Sequence, residues 1–136
     1  MSRSLRSRTG LLAGTVALVL AAATTQAAER PEVTAAAAAQ RQQVIDWRRD
    51  FHQHPELSNR EERTARIVAE ELRRMGLEPK TGIAHHGVTA IIKGGRPGPK
   101  IALRADMDAL PVAERSGLPF ASKATAQYRG ETVGVM

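Results

Sequence analysis

Two carboxylates stand two residues apart at the end of an apolar run, where Lys100 to Leu103 leads into Arg104-Ala105-Asp106-Met107-Asp108-Ala109-Leu110-Pro111. Alternate side chains of an extended strand share a face, so Asp106 and Asp108 are expected to point the same way. The carboxyl edge of an α/β sheet is where such folds bind their ligands. Carboxylates so placed can bind a metal directly or orient a histidine that does. An aspartate three residues before a proline is equally ordinary turn chemistry, and spacing alone leaves both readings open.

The histidines are less well placed. His52 and His54 flank the end of a predicted helix, where residues two apart do not face each other. His85 and His86 are adjacent, so in a strand they would point to opposite sides. Neither pair has the i,i+4 spacing of a helical zinc site. Structural or surface roles follow, because metal sites need convergent ligands. With no cysteine, the chain has no disulfide framework, thiolate zinc site or cysteine nucleophile of its own.

Two helices and three strands must position these groups. Glu29 to Gln40 is a low-complexity leader with alanine at every position from 35 to 39, and Thr34 is a candidate cap if it is helical. Val44, Trp47, Arg48 and Phe51 recur at helical spacing, which predicts a helix from Gln40 to His52 that Pro55 ends. Ser58 with Glu61 three residues on reads as a capping box for a second helix. Its face is Thr64, Ile67, Val68, Glu71, Leu72 and Met75, and Gly76 sits where a left-handed cap belongs. Glu62–Arg66 and Glu70–Arg74 have favourable ion-pair spacing on its solvated side. Strands are expected at Leu77 to Ile83, with Pro79 marking an edge, then Val88 to Lys93 and Lys100 to Met107. The turn Gly94-Gly95-Arg96-Pro97-Gly98-Pro99 would join the last two as an antiparallel hairpin, followed by an irregular tail.

The first 27 residues read as a secretory signal. Arg3, Arg6 and Arg8 form a positive start, Leu11 to Ala23 is a short apolar run, and Thr25-Gln26-Ala27 offers the small residues a signal peptidase reads. The absence of a twin-arginine pair there points to general secretion into the periplasm or medium. No apolar stretch reaches 18 residues, so no membrane association is expected after cleavage. The whole chain carries 20 basic and 14 acidic residues, a net +6. Cleavage would take away three arginines and leave about +3 on 109 residues. With aromatics at 3% and no basic block interleaved with them, a nucleic-acid partner is not expected.

Longer motifs sharpen the reading. Arg48-Arg49-Asp50-Phe51-His52-Gln53-His54-Pro55-Glu56-Leu57-Ser58 resembles the N-terminal signature of the amidohydrolase branch of the aminoacylase-type metallopeptidases. That branch includes hippurate hydrolase, N-acyl-amino-acid amidohydrolases and plant auxin-conjugate hydrolases. The run from Ile101 to Val112 resembles the next motif of the branch, in the right order and at the right distance. The resemblance covers about residues 42 to 136 and implies that they are the N-terminal portion of a catalytic domain, preceded by the signal peptide (1–27) and a low-complexity leader (28–41).

The resemblance implies an α/β fold, with this chain as the opening helix–helix–strand–strand–strand segment of a zinc-peptidase-like domain built on a central mixed sheet. It implies a hydrolase whose two divalent metals (Zn, Mn, Co or Ni) activate water and polarise an amide carbonyl, with a glutamate moving the proton. Substrates would be N-acyl amino acids or small peptides, and an inserted domain would make the full-length protein a homodimer. Asp108 matches the aspartate that supports a metal-binding histidine from behind. Asp106 falls where related branches have a histidine ligand that this branch replaces, so it is the weaker metal candidate. In the family, Gly-Val-Met runs straight into a His-Ala-Cys-Gly-His-Asp segment that brings the first ligands, whereas this sequence closes on Gly134-Val135-Met136. The chain alone is therefore expected to be inactive and to bind no metal stably. His85 and His86 stand where small, glycine-rich residues are expected. The alternative is a small non-catalytic periplasmic protein that binds a partner through its sheet edge, which would need its own core and would leave that edge open to aggregation.

Overall fold

The computed structural model describes residues 30–136, and the signal-like segment lies outside them. The elements run α1 (Pro31–Gln53), α2 (Glu62–Arg74), β1 (Lys80–Ile83), β2 (Gly87–Thr89), β3 (Thr125–Tyr128) and β4 (Glu131–Gly134). β1 pairs with β2 and β3 with β4, both antiparallel, as two separate two-stranded sheets.

The leader and the first predicted helix are one element. α1 starts at Pro31, with Arg30 as an extended N-cap and Glu32 in the first turn, not at Gln40. Proline at the first helical position loses no hydrogen bond, and the alanines that follow have the highest helix propensity. Thr34 is thus inside the helix, and no side chain caps it. The helix ends as expected before Pro55. The His54 amide donates to the Asp50 carbonyl at 3.1 Å, and the His54 ring lies 2.9 Å from the same oxygen.

The second helix is capped from an unexpected place. Ser58 makes no cap, and neither does Glu61, which immediately precedes α2. The Glu56 carboxylate instead accepts the Arg63 amide at 3.0 Å, the Thr64 amide at 2.7 Å and the Thr64 hydroxyl at 2.8 Å. A carboxylate is a stronger acceptor than a hydroxyl and also answers the positive end of the helix dipole. At the other end Gly76 takes φ +80°, as predicted. Leu77 N–H reaches Leu72 O and Gly76 N–H reaches Arg73 O, which is the Schellman pattern. The buried face is Thr64, Ala65 and Ala69, displaced from the predicted one, and Met75 is exposed. The surface ion pairs are Arg66–Glu70 and Arg74–Glu71 rather than the expected combinations.

The hairpin is displaced too. Lys80 pairs with Thr89 and Ile83 with Gly87, so β1 and β2 fold back across the histidines. Residues 91–108 contain no strand, and none of their backbone groups bonds to another element among the described residues. Their apolar side chains lie in the open: Ile91, Ile92, Ile101 and Leu103 are 77–97% exposed. An apolar run of strand-forming residues gains its stability from neighbours on its edges and faces, and here it has none. The described residues are accordingly an incomplete α/β domain. The expected central mixed sheet is not formed among them.

The segment after Pro111 is not irregular throughout. β3 and β4 pair in register from Thr125–Gly134 to Tyr128–Glu131. Arg129 and Gly130, both with positive φ, make the two-residue turn that matches strand twist. The buried apolar residues are few, namely Leu57, Ala65, Ala69 and Val135.

Candidate functional site

Asp106 and Asp108 do not project from a strand end. Both are exposed, and Asp106 meets the Arg104 guanidinium at 2.7 Å. The order begins immediately after Asp108. Ala109 forms a parallel bridge with Leu57, and its amide donates to the Glu56 carbonyl at 2.8 Å. Leu110 exchanges two backbone hydrogen bonds with Met136, at 2.9 and 3.1 Å. The two long motifs, some fifty residues apart, are thus joined directly, and Ala109 and Leu110 are fixed between Glu56-Leu57 and Met136.

Close packing accounts for this convergence. A methyl group on Gly134 would lie 2.8 Å from the Ala113 Cα, so only glycine lets β4 approach the segment after Pro111. Val135 is 2% exposed beneath it. The Ser122 hydroxyl donates to the Val135 carbonyl at 2.7 Å and accepts the Ala124 amide at 3.1 Å, closing the base of the hairpin. The Arg60 guanidinium donates to the Gln127 carbonyl at 2.7 Å, which ties the turn before α2 to β3.

Charge is paired around the corner between the helices. One guanidinium nitrogen of Arg63, Nη2, donates to both oxygens of Asp50, at 2.7 and 2.9 Å, and this charged hydrogen bond holds the Asp50 carboxyl below its usual range against the opposing effect of burial. The nearby His54 adds to the lowering. An open cleft of about 700 Å³ lies beside this corner, lined in part by His54, Glu56, Arg63 and Lys123. On the other side of α1, His52 lies 2.5 Å from Glu114, whose side chain is 6% exposed. The Ser116 hydroxyl and amide hold Glu114 down to about 2, and His52 adds a smaller lowering. The His52 ring meets Phe120 edge-on at 5.8 Å, and the Arg49 guanidinium sits 5.0 Å from the centre of that ring.

Of the residues singled out in the sequence, the fold brings Asp108 to the junction of the two motifs. It leaves Asp106 against Arg104. His85 and His86 lie in the turn between β1 and β2, not in a strand, beside an open groove under α2 that Arg66 and Arg73 also line. Ala84 and His85 take φ of 46° and 84° there, values that glycine adopts without cost. That is the physical reason small, glycine-rich residues are expected at this turn. Glu56 and the His52–Glu114 pair were missed as interacting groups. Glu56 lies within a recognised motif, and its place just before a helix was the available signal. No spacing rule could pair His52 with a residue 62 positions away.

Among the described residues, no group of three or more His, Cys, Asp or Glu side chains converges as a metal site. These residues therefore do not by themselves fit a pair of divalent ions.

No family model matches the chain. Curated relatives do. The N-acyl-L-amino acid amidohydrolase of Geobacillus stearothermophilus is 48% identical over 80 residues, 59% of this chain and 22% of the relative. The hippurate hydrolase of Campylobacter jejuni is 45% identical over 76 residues, 56% of this chain and 20% of the relative. Among solved structures, the YXEP protein of Bacillus subtilis, a dinuclear metal-binding peptidase of the M20 family, superimposes with a TM-score of 0.62 at 41% identity. That match covers 73% of this chain and 26% of the other. The chain spans about a fifth of the length of the curated relatives it matches. Over the aligned residues it is similar to proteins named as amidohydrolases and to a dinuclear metal-binding peptidase of the M20 family.

Proposed function

We propose that this chain is the N-terminal part of a metal-dependent amidohydrolase that cleaves the amide bond of N-acyl amino acids or small peptides. One observation carries the reading: the backbone bonds of Ala109 and Leu110, the residues that directly follow Asp108, join the second motif to the Pro55-Glu56-Leu57 motif and to Met136. Relatives named for this chemistry are 45–48% identical over 76–80 residues of the chain. The chain spans a small fraction of their length, and its own donors do not converge on a metal. In this reading the groups that touch two divalent ions come from polypeptide outside the described residues, and the 136-residue chain alone is expected to show no turnover.

In this reading Asp108 is a supporting carboxylate. It accepts a hydrogen bond from a metal-binding side chain, fixes that side chain's orientation and raises its basicity. Asp106, engaged by Arg104, is the weaker candidate. Residues 1–27 act as a signal for general secretion, and the longer protein works outside the cytoplasm as a homodimer. No helix among the described residues is long and apolar enough to cross a membrane.

The test uses the longer protein encoded around this segment. Purified from the periplasm or medium, it should begin at Ala28 or Glu29. It should hydrolyse N-acetyl or N-benzoyl amino acids, lose that activity to a chelator, and regain it with Zn, Mn, Co or Ni. An active protein that a chelator leaves untouched would contradict the reading, as would turnover by the 136-residue chain itself.

A further inference from the structure

The segment from Ala109 to Phe120 is a strap that carries Asp108 at its start. One end is held by Glu56 and Leu57, and its first turn by Met136. Ala113 lies against Gly134. Beyond Ala113 apolar burial does not hold it, for Arg115, Ser116 and Gly117 are exposed and Leu118 is 46% exposed. The attachment there is polar. Glu114 reaches His52 on α1 at 2.5 Å while its other oxygen takes the Ser116 amide at 2.8 Å. Phe120 closes the contact, edge-on to His52 and under Arg49. Both attachments are made to the stretch Arg49–Leu57, at and just beyond the end of α1, so the strap is clamped to one rigid corner at two points.

We infer that the His52–Glu114 pair is a positioning device, which sets the strap and with it the Leu110–Met136 pairing that anchors the backbone two residues after Asp108. The pair touches no reacting atom and lies six residues beyond Asp108. Its effect passes through the strap's backbone, where the Leu110–Met136 bonds are the last link. A carboxylate this buried needs its partner, since removal leaves an acceptor without a donor. Half-exposed His52 is the side to change, because its truncation opens no cavity in a core. The inference rests on the amidohydrolase reading given above.

The experiment uses the longer, metal-loaded protein. His52→Ala is expected to lower kcat by about tenfold, the lower end for loss of a supporting contact, with KM changed less than twofold. Hydrogen exchange at the Leu110 and Met136 amides should quicken together. His52→Gln, whose amide can still donate to Glu114, should restore most of both. Combined with Asp108→Ala, His52→Ala should add little, since groups acting through one contact are not additive. Equal losses in His52→Ala and His52→Gln would overturn the inference, as would unchanged exchange or fully multiplicative losses. Should His52→Ala not fold, His52→Gln is read alone, and its failure to protect the two amides is the contrary result. If Asp108→Ala itself leaves the rate intact, the amidohydrolase role of Asp108 has failed. If only the His52 variants do, that role survives and the positioning inference alone falls.

Discussion

Leu110 and Met136 exchange two backbone hydrogen bonds, at 2.9 and 3.1 Å. This pairing brings the backbone just after Asp108 to the residues just after β4, although Leu110 and Met136 stand 26 positions apart in the chain. The path between them runs through Glu114, Phe120 and the β3–β4 hairpin, which return the backbone to where it left.

Glu56 should be the most sensitive residue of the helix corner. Its carboxylate satisfies two amides and one hydroxyl at the start of α2. Losing a cap costs about 0.5–2 kcal/mol, so Glu56→Ala should lower the stability of the folded protein by about 2 kcal/mol. Ser58→Ala should change it by less than about 0.5 kcal/mol, because a surface hydroxyl outside any cap contributes little. Denaturant titration of both variants decides between the two caps.

Much of this was legible in the sequence, and what was not has physical causes. Pro55 and Gly76 marked helix ends because each acts through its own backbone. The capping-box reading of Ser58 and Glu61 failed because Glu56, a stronger acceptor, reaches α2 from outside that four-residue frame. Of the predicted strand 88–93 only Val88 and Thr89 form, in β2, and 100–107 does not form; both have the right residue types, yet a strand exists only with a partner. The β3–β4 hairpin carries a local signal, the Arg129-Gly130 turn between strand formers. Asp108 was found through its motif; its neighbours Met136 and Glu56 are products of tertiary folding.

Acid should loosen the strap. Glu114 is held down to about 2, by Ser116 first and His52 second, from an ordinary value of 4.5. A carboxyl depressed in the folded state contributes stability that is present above its unfolded value and lost as pH falls through its folded one. Stability should therefore decline between about pH 4.5 and pH 2, and Asp50, lowered by Arg63, acts in the same direction. Denaturation midpoints across that range should fall less steeply in Glu114→Gln than in the parent.

The turn at Ala84 and His85 is strained. A non-glycine residue at φ 84° costs on the order of 1–3 kcal/mol, against a smaller entropic loss for introducing glycine. His85→Gly should therefore stabilise the fold by about 1 kcal/mol in the same titrations. A destabilised variant would mean that the His85 ring makes a compensating contact.

The exposed run Ile91–Leu103 should govern the solution behaviour of the 136-residue chain. Burying each of its large apolar side chains is worth about 1.5–3 kcal/mol, and open edges invite pairing between copies. The chain alone should bind a hydrophobic dye and elute as a broad set of oligomers. Ile101→Lys with Leu103→Lys should shift the profile towards monomer.

The central claim is that Asp108 supports the metal chemistry of a longer amidohydrolase, and its most direct test is the rate of Asp108→Ala in that protein. Hydrolysis of an N-acyl amino acid should fall about 10–100-fold, with the thermal midpoint unchanged and added metal restoring part of the loss. A variant that hydrolyses at the parent rate, with the same metal requirement, would make Asp108 a turn residue and contradict the claim.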